Sequence, residues 1–185
     1  MPKNISKELE GAILALPLKE QNRLLLRLIA KNDILIEQLH YKLLETPEDL
    51  PYRKGNIKED IDEKLKYSFR YPTEMLWEIK RLNSSITRYR RVTTDKYGEV
   101  ELGLYLIGAV LSSNINFLEI LSSRTEKLSL YLVKRMIMIL KNLSKLDREY
   151  YIDFEKDVSY ILDEMHKKIT RIHARQLDLP TKFEI

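Results

Sequence analysis

Residues 125–143 read TEKLSLYLVKRMIMILKNL. Leu128, Leu132, Met136, Ile139 and Leu143 step through this stretch by three or four, with Leu140 beside them. That spacing gathers them on one broad apolar face of a helix. No Gly or Pro occurs from Ala109 to Leu179. A stretch without breakers, with only polar residues between apolar runs, reads as long helices joined by polar turns. The expected helices here are 99–121, 125–143 and 147–177. The last carries the stripe Tyr151, Phe154, Val158, Ile161, Met165 and Ile172. Lys168 and Arg175 interrupt its heptad spacing, so a long coiled coil is not expected.

Working toward the N-terminus, residues 73–91 open on Pro72, Thr73 and Glu74 and carry Met75, Ile79, Leu82, Ile86 and Tyr89 at steps of four and three. This is a second strong amphipathic helix. The turn Asp95-Lys96-Tyr97-Gly98 follows it. A competing reading pairs Arg90–Thr94 with Glu99–Leu104 as a β-hairpin, since Val100, Leu102 and Leu104 alternate. A lone hairpin is marginal without a third strand. Further upstream, a helix is expected over 57–70 and a loop over 46–56. One helix is expected over 18–45, with the stripe Leu18, Leu25, Leu28, Ile29, Ile36, Leu39 and Leu43. Asn32 interrupts that stripe. It reads either as a register-fixing polar residue or as a local break, with Asp33 the candidate N-cap. A short helix over 5–15 precedes Pro17.

The fold class is therefore all-α: six to seven helices in a single bundle or short irregular helical array. Residues 1–185 read as one domain, in which the loop 46–56 separates an N-terminal helical arm, 1–45, from the main bundle, 57–178. Segments 99–121 and 125–143 are the expected centre.

Composition limits the chemistry. The 185 residues include only 5 Gly and no Cys. An average chain of this length has about 13 Gly. Glycine-rich phosphate cradles and hairpin arrays are disfavoured, and thiolate metal sites, disulfides and cysteine nucleophiles are excluded. The net charge of +4 lies mostly in residues 123–185, with thirteen bases against ten acids. The longest uncharged run, Leu102–Leu118, contains Gly103, Gly108, Ser112, Ser113, Asn114 and Asn116. It reads as a buried helix rather than a membrane span. The N-terminal residues lack the apolar core of a signal peptide. No membrane association is expected, and a cytoplasmic location is.

His166 and His173 are seven residues apart, about 10.5 Å of helical rise, too far to share one ion. His40 stands alone in the N-terminal arm. Asp163 and His166 have i, i+3 spacing with no third ligand. The acids Glu59, Asp60, Asp62 and Glu63 suit the start of a helix. No metal, cofactor or catalytic residue is assigned, and an enzyme is the least favoured reading.

Two basic clusters remain. Opposite the apolar stripe of 73–91, Trp77, Lys80, Arg81, Ser84, Arg88 and Arg91 fall within about 100° of arc. The single tryptophan thus sits among four cations. Indole with arginine can anchor a protein interface or stack nucleic-acid bases. A structural alternative covers Trp77 with Tyr67, Phe69 and Tyr71. Lys167, Lys168, Arg171 and Arg175 form the second cluster, on one face of the last helix, where the dipole favours cations. The expected function is a non-enzymatic helical interaction or scaffold protein. It would present the Trp/Arg/Lys face to a protein partner, with self-association included. Polyanion binding through both basic clusters is the alternative, and a carboxylate/His interhelical pocket the third.

Overall fold

A computed structural model describes residues 5–67, 69–113, 115–119 and 121–183. Among them it shows helices and no strand, and the nine α-helices exceed the six or seven expected. The surplus comes from breaks inside segments expected to be continuous. The chain divides into two compact units, Met1–Glu45 and Thr46–Ile185.

The first unit holds α1 (Lys7–Leu14), α2 (Leu18–Ile29) and α3 (Asp33–Leu44). Ser6 caps α1 by accepting the Leu9 N–H at 3.3 Å. The Gln21 amide closes the turn at Pro17 by donating to the carbonyls of Leu14 and Leu16 at 3.0 and 2.8 Å. The helix expected over 18–45 is broken. Asn32 adopts an extended backbone and its Oδ1 accepts the Leu35 N–H at 3.1 Å. Asn32, not Asp33, is therefore the N-cap. The apolar stripe keeps its phase across the break, which is why periodicity alone does not reveal it. None of the three helices contains a buried residue.

The second unit begins with α4 (Asp49–Lys66), so most of the expected loop 46–56 is helical. Asp49 Oδ2 accepts from the Thr46 N–H at 2.8 Å and from its hydroxyl at 3.2 Å. Pro51 lies in the first turn, where its missing N–H breaks no bond. Next comes α5 (Pro72–Thr93). Glu74 Oε2 accepts the N–H groups of Arg70 and Tyr71 at 3.1 and 3.3 Å, fixing its start. The expected stripe from Met75 to Tyr89 is buried throughout.

Between α5 and α6 (Lys96–Ser112) the chain reverses in a few residues. Thr94 takes a left-handed conformation at φ 59°. Asp95 caps α6: its Oδ1 accepts the Gly98 N–H at 2.9 Å, and its Oδ2 accepts the Tyr89 hydroxyl at 2.5 Å. A Cβ on Gly98 would lie 2.2 Å from Asp95 Oδ2 and 2.7 Å from the Tyr89 oxygen. Gly98 is required by this cap and does not break the helix. Burial and the Asp95 carboxylate both push the Tyr89 phenol well above its ordinary range.

The hairpin reading of 90–104 does not hold. Val100, Leu102 and Leu104 alternate because α6 is buried on nearly every side, and α4, α5, α7 (Glu126–Leu143) and α8 (Tyr151–Met165) all pack on it. A helix surrounded by neighbours has no polar face to display a period. Gly103 admits Ile139 of α7, whose side chain would stand 3.1 Å from an added Cβ.

The helix expected over 99–121 stops at Ser112, where the Ser113 hydroxyl donates to the Val110 carbonyl at 2.6 Å. A 3-10 turn follows at Asn116–Leu118. The helix expected over 147–177 is also divided, into α8 and α9 (Arg171–Gln176). Between them the Ile169 N–H donates to the Leu118 carbonyl at 3.0 Å, and the Thr170 hydroxyl to the Met165 carbonyl at 2.6 Å. These bonds to Leu118 and Met165 replace the helical ladder. Past α9, Asp178 is left-handed at φ 51°, the Leu179 N–H reaches the Ala174 carbonyl at 2.9 Å, and Leu179 is buried. This is a Schellman ending, with Leu179 packed back beside Ala174.

Candidate functional site

The outer face of α5 follows from its inner one. With Met75, Ile79, Leu82 and Ile86 buried, the residues half a turn away must face water. Trp77 is 67% exposed, and Lys80, Ser84, Arg88 and Arg91 are exposed along the same side. The reading in which Tyr67, Phe69 and Tyr71 cover Trp77 does not hold: Tyr67 and Tyr71 are themselves more than half exposed, at 62% and 52%.

The cations differ in how far they are committed. Arg81 is held by α4 and by its own helix. Its Nη2 lies 3.0 Å from both Asp60 oxygens, and its Nε donates to Glu78 at 2.7 Å. Burial alone would lower its pKa, but these two carboxylates outweigh it and raise the value. Lys80 stands 5.6 Å above the Tyr131 ring of α7. Arg88 and Arg91 are exposed and have contacts of their own.

The second basic cluster is not one helix face. Lys167 and Lys168 lie in the turn after α8, whereas Arg171 and Arg175 belong to α9. Lys167 pairs with Asp163. Lys168 is 2.6 Å from Glu119 and 3.8 Å from Glu164. Arg171 and Arg175 are exposed. The break at 166–170 dissolves the continuous basic edge read from the sequence.

The histidines have local roles. His40 Nδ1 lies 2.9 Å from Glu45 Oε1. His166 Nε2 is hydrogen-bonded to the Pro180 carbonyl at 3.2 Å. His173 is buried, with Nδ1 2.6 Å from the Ser129 hydroxyl, which also donates to the Ile169 carbonyl at 3.0 Å. Serine beside histidine resembles a nucleophile and base, but Ser129 is completely buried and its hydroxyl already engages Ile169. The pair ties α9 to α7. Among the described residues no three His, Asp or Glu groups come together as metal ligands, and no helix is long and apolar enough to cross a membrane.

Other polar groups brace the core. Glu101 of α6 accepts Lys54 and Lys58 of α4, each at 2.6 Å. Burial alone would raise the Glu101 pKa, but the two ammonium groups outweigh it and lower the value. Tyr105 donates to Asp62 at 2.8 Å; burial, then this carboxylate, pushes its phenol up to about 12.

One residue of consequence was not selected from the sequence. Arg135 lies one turn from both Tyr131 and Ile139, on the flank of the apolar face of α7. Its Nε is buried without a hydrogen-bond partner, as is Oδ1 of Asn83 on α5. A cation four residues before a buried isoleucine was the available signal.

No protein-family model, curated protein or solved structure matches the chain. Its functional reading therefore rests on its own residues.

Proposed function

We propose that this chain is a non-enzymatic interaction protein of the cytoplasm that presents the outer face of α5 to a protein partner. The observation that carries the reading is the 67% exposure of Trp77 on a helix whose opposite stripe is fully buried. Tryptophan and arginine are enriched among residues that dominate interface energies. Leaving an indole in water forgoes roughly 2–3 kcal/mol of possible burial, which a partner surface would recover. The polyanion alternative draws less support, because Arg81 is held by Asp60 and Glu78.

The test uses the full chain with a photo-crosslinking residue at position 77, and Trp77→Ala beside it. A discrete protein adduct, or a dimer of the chain itself, is expected, together with loss of that association in Trp77→Ala at unchanged far-UV circular dichroism. Unfolding of Trp77→Ala would overturn the reading. So would a nucleic-acid adduct whose binding falls steeply with salt and requires Arg88 and Arg91.

A further inference from the structure

The N-terminal arm has abundant apolar surface and no core of its own. Among the described residues, ten of the twelve exposed leucine and isoleucine side chains lie between positions 5 and 44. No described residue of the unit Met1–Glu45 is buried. The five barest in the arm, Leu14, Leu18, Leu26, Leu43 and Leu44, are 66–72% exposed. Together the ten leave on the order of 800 Å² of apolar surface in water. Each partner of an interface of standard size covers about that much.

The charges say what meets this surface. Positions 5–45 hold six basic and six acidic residues. The two signs are shared unevenly between helices. Lys19, Arg23 and Arg27 outnumber Glu20 on α2, whereas Asp33 and Glu37 outnumber Lys42 on α3. One helix is net basic and the other net acidic. The same arm therefore carries both halves of a complementary pair, as an interface between identical chains requires. An anionic lipid surface or a nucleic acid calls for an excess of Lys and Arg, and positions 5–45 have none.

We infer that the arm is a self-association module. Two copies pair arm to arm, with α2 of each against α3 of the other, and close the exposed leucines into a shared core that neither arm builds alone. This pairing is separate from the association proposed for the outer face of α5, and Trp77 has no part in it.

The test is sedimentation equilibrium of the full chain up to about 100 μM, where an interface of standard size is populated. The mass is expected to rise with concentration from 22.0 kDa toward twice that value. Leu18→Gln with Leu26→Gln keeps the charge and suits a helix. This double variant should weaken pairing about ten-fold or more, at unchanged far-UV circular dichroism. Arg23→Glu with Arg27→Glu makes α2 net acidic, and Glu37→Lys makes α3 net basic. Each of these charge variants should pair about ten-fold more weakly by itself. Mixed in equal amounts, they should recover pairing as a mixed dimer.

A chain that stays monomeric throughout would overturn the module. So would a dimer unchanged in the Gln double variant, or a charge-swapped mixture that pairs no better than its parts. Co-sedimentation with anionic phospholipid vesicles, lost in the Gln variant, would assign the leucines to a lipid surface instead. A urea midpoint of the core unit, read by Trp77 fluorescence, that shifts in the Gln variant would place the arm on Thr46–Ile185 and also overturn the pairing. Trp77→Ala separates the two associations. A dimer lost with Trp77→Ala but kept in the Gln variant removes the module and leaves the α5 face standing. Loss of the crosslink at position 77 beside an intact arm dimer does the reverse.

Discussion

The two units of this chain carry the same kind of sequence and use it differently. Leu18, Leu25 and Leu28 of α2 are spaced as well as Met75, Ile79 and Leu82 of α5. Yet the first three are exposed and the second three are fully buried. Periodicity makes a helix two-faced, and a core needs other apolar faces around it. In Thr46–Ile185, α4, α5, α7 and α8 close around α6. The arm has α2 against α3 and, among its described residues, none that is buried. Chains of about 40 residues seldom bury enough surface to hold themselves together without added crosslinks or partners.

The sharpest way to break this contrast is to cut side chains from both units. Leu106→Ala, in the buried α6, should cost about 2–5 kcal/mol in urea unfolding. Leu25→Ala, on exposed α2, should stay within about 0.5 kcal/mol. Equal losses would mean that the arm shares the core after all.

Caps give a second contrast. Asp95→Ala removes the α6 cap and orphans the buried Tyr89 hydroxyl, so about 2–3 kcal/mol should be lost from global stability. Asn32→Ala, an exposed cap between α2 and α3, should cost about 1 kcal/mol of local helicity. It should leave the main thermal transition in place, as amide exchange and calorimetry would show.

Acid titration probes the core unit alone. The Glu101 pKa is lowered in the fold, so its contribution is complete above the ordinary carboxylate range. It is lost as pH falls through that range toward the depressed folded value. Glu101→Gln should lower Tm at neutral pH and flatten its acid dependence. A parallel, merely displaced pH profile would show that Lys54 and Lys58 do not depend on this charge.

A gain rather than a loss is expected at the reversal between α5 and α6. Thr94 is β-branched and left-handed, a conformation that glycine adopts without steric cost. Thr94→Gly should raise stability by up to about 1 kcal/mol, measured by chemical denaturation.

What the sequence made legible was the set of stripes. The buried faces of α5 and α7 fall where the spacing places them, whereas the spacing left open whether Trp77 on the opposite side was exposed or covered by Tyr67, Phe69 and Tyr71. The break at Asn32 was one of two open readings, and those after Ser112 and at 166–170 were not legible, because the causes of breaks are not periodic. Asn32 replaces a helical bond with its own side chain while the leucines stay in phase. The turn at 166–170 depends on the Leu118 carbonyl, some fifty residues away, and no local pattern encodes it. The expected loop over 46–56 is mostly helix because a proline such as Pro51 is tolerated in a first helical turn. Arg135 was missed for a related reason: beside Lys134 it looks like one more surface base, and only packing reveals that its Nε is enclosed.

The bond between Ile169 and Leu118, with Ser129 joined to His173, sets an order of assembly. During synthesis, α6 and α7 leave the ribosome well before residues 169–179. Until those residues emerge, the Leu118 carbonyl and the Ser129 hydroxyl have only water to bond. A nascent chain halted after Met165 therefore carries an open seam along α7, which Ile169 and His173 close once they emerge.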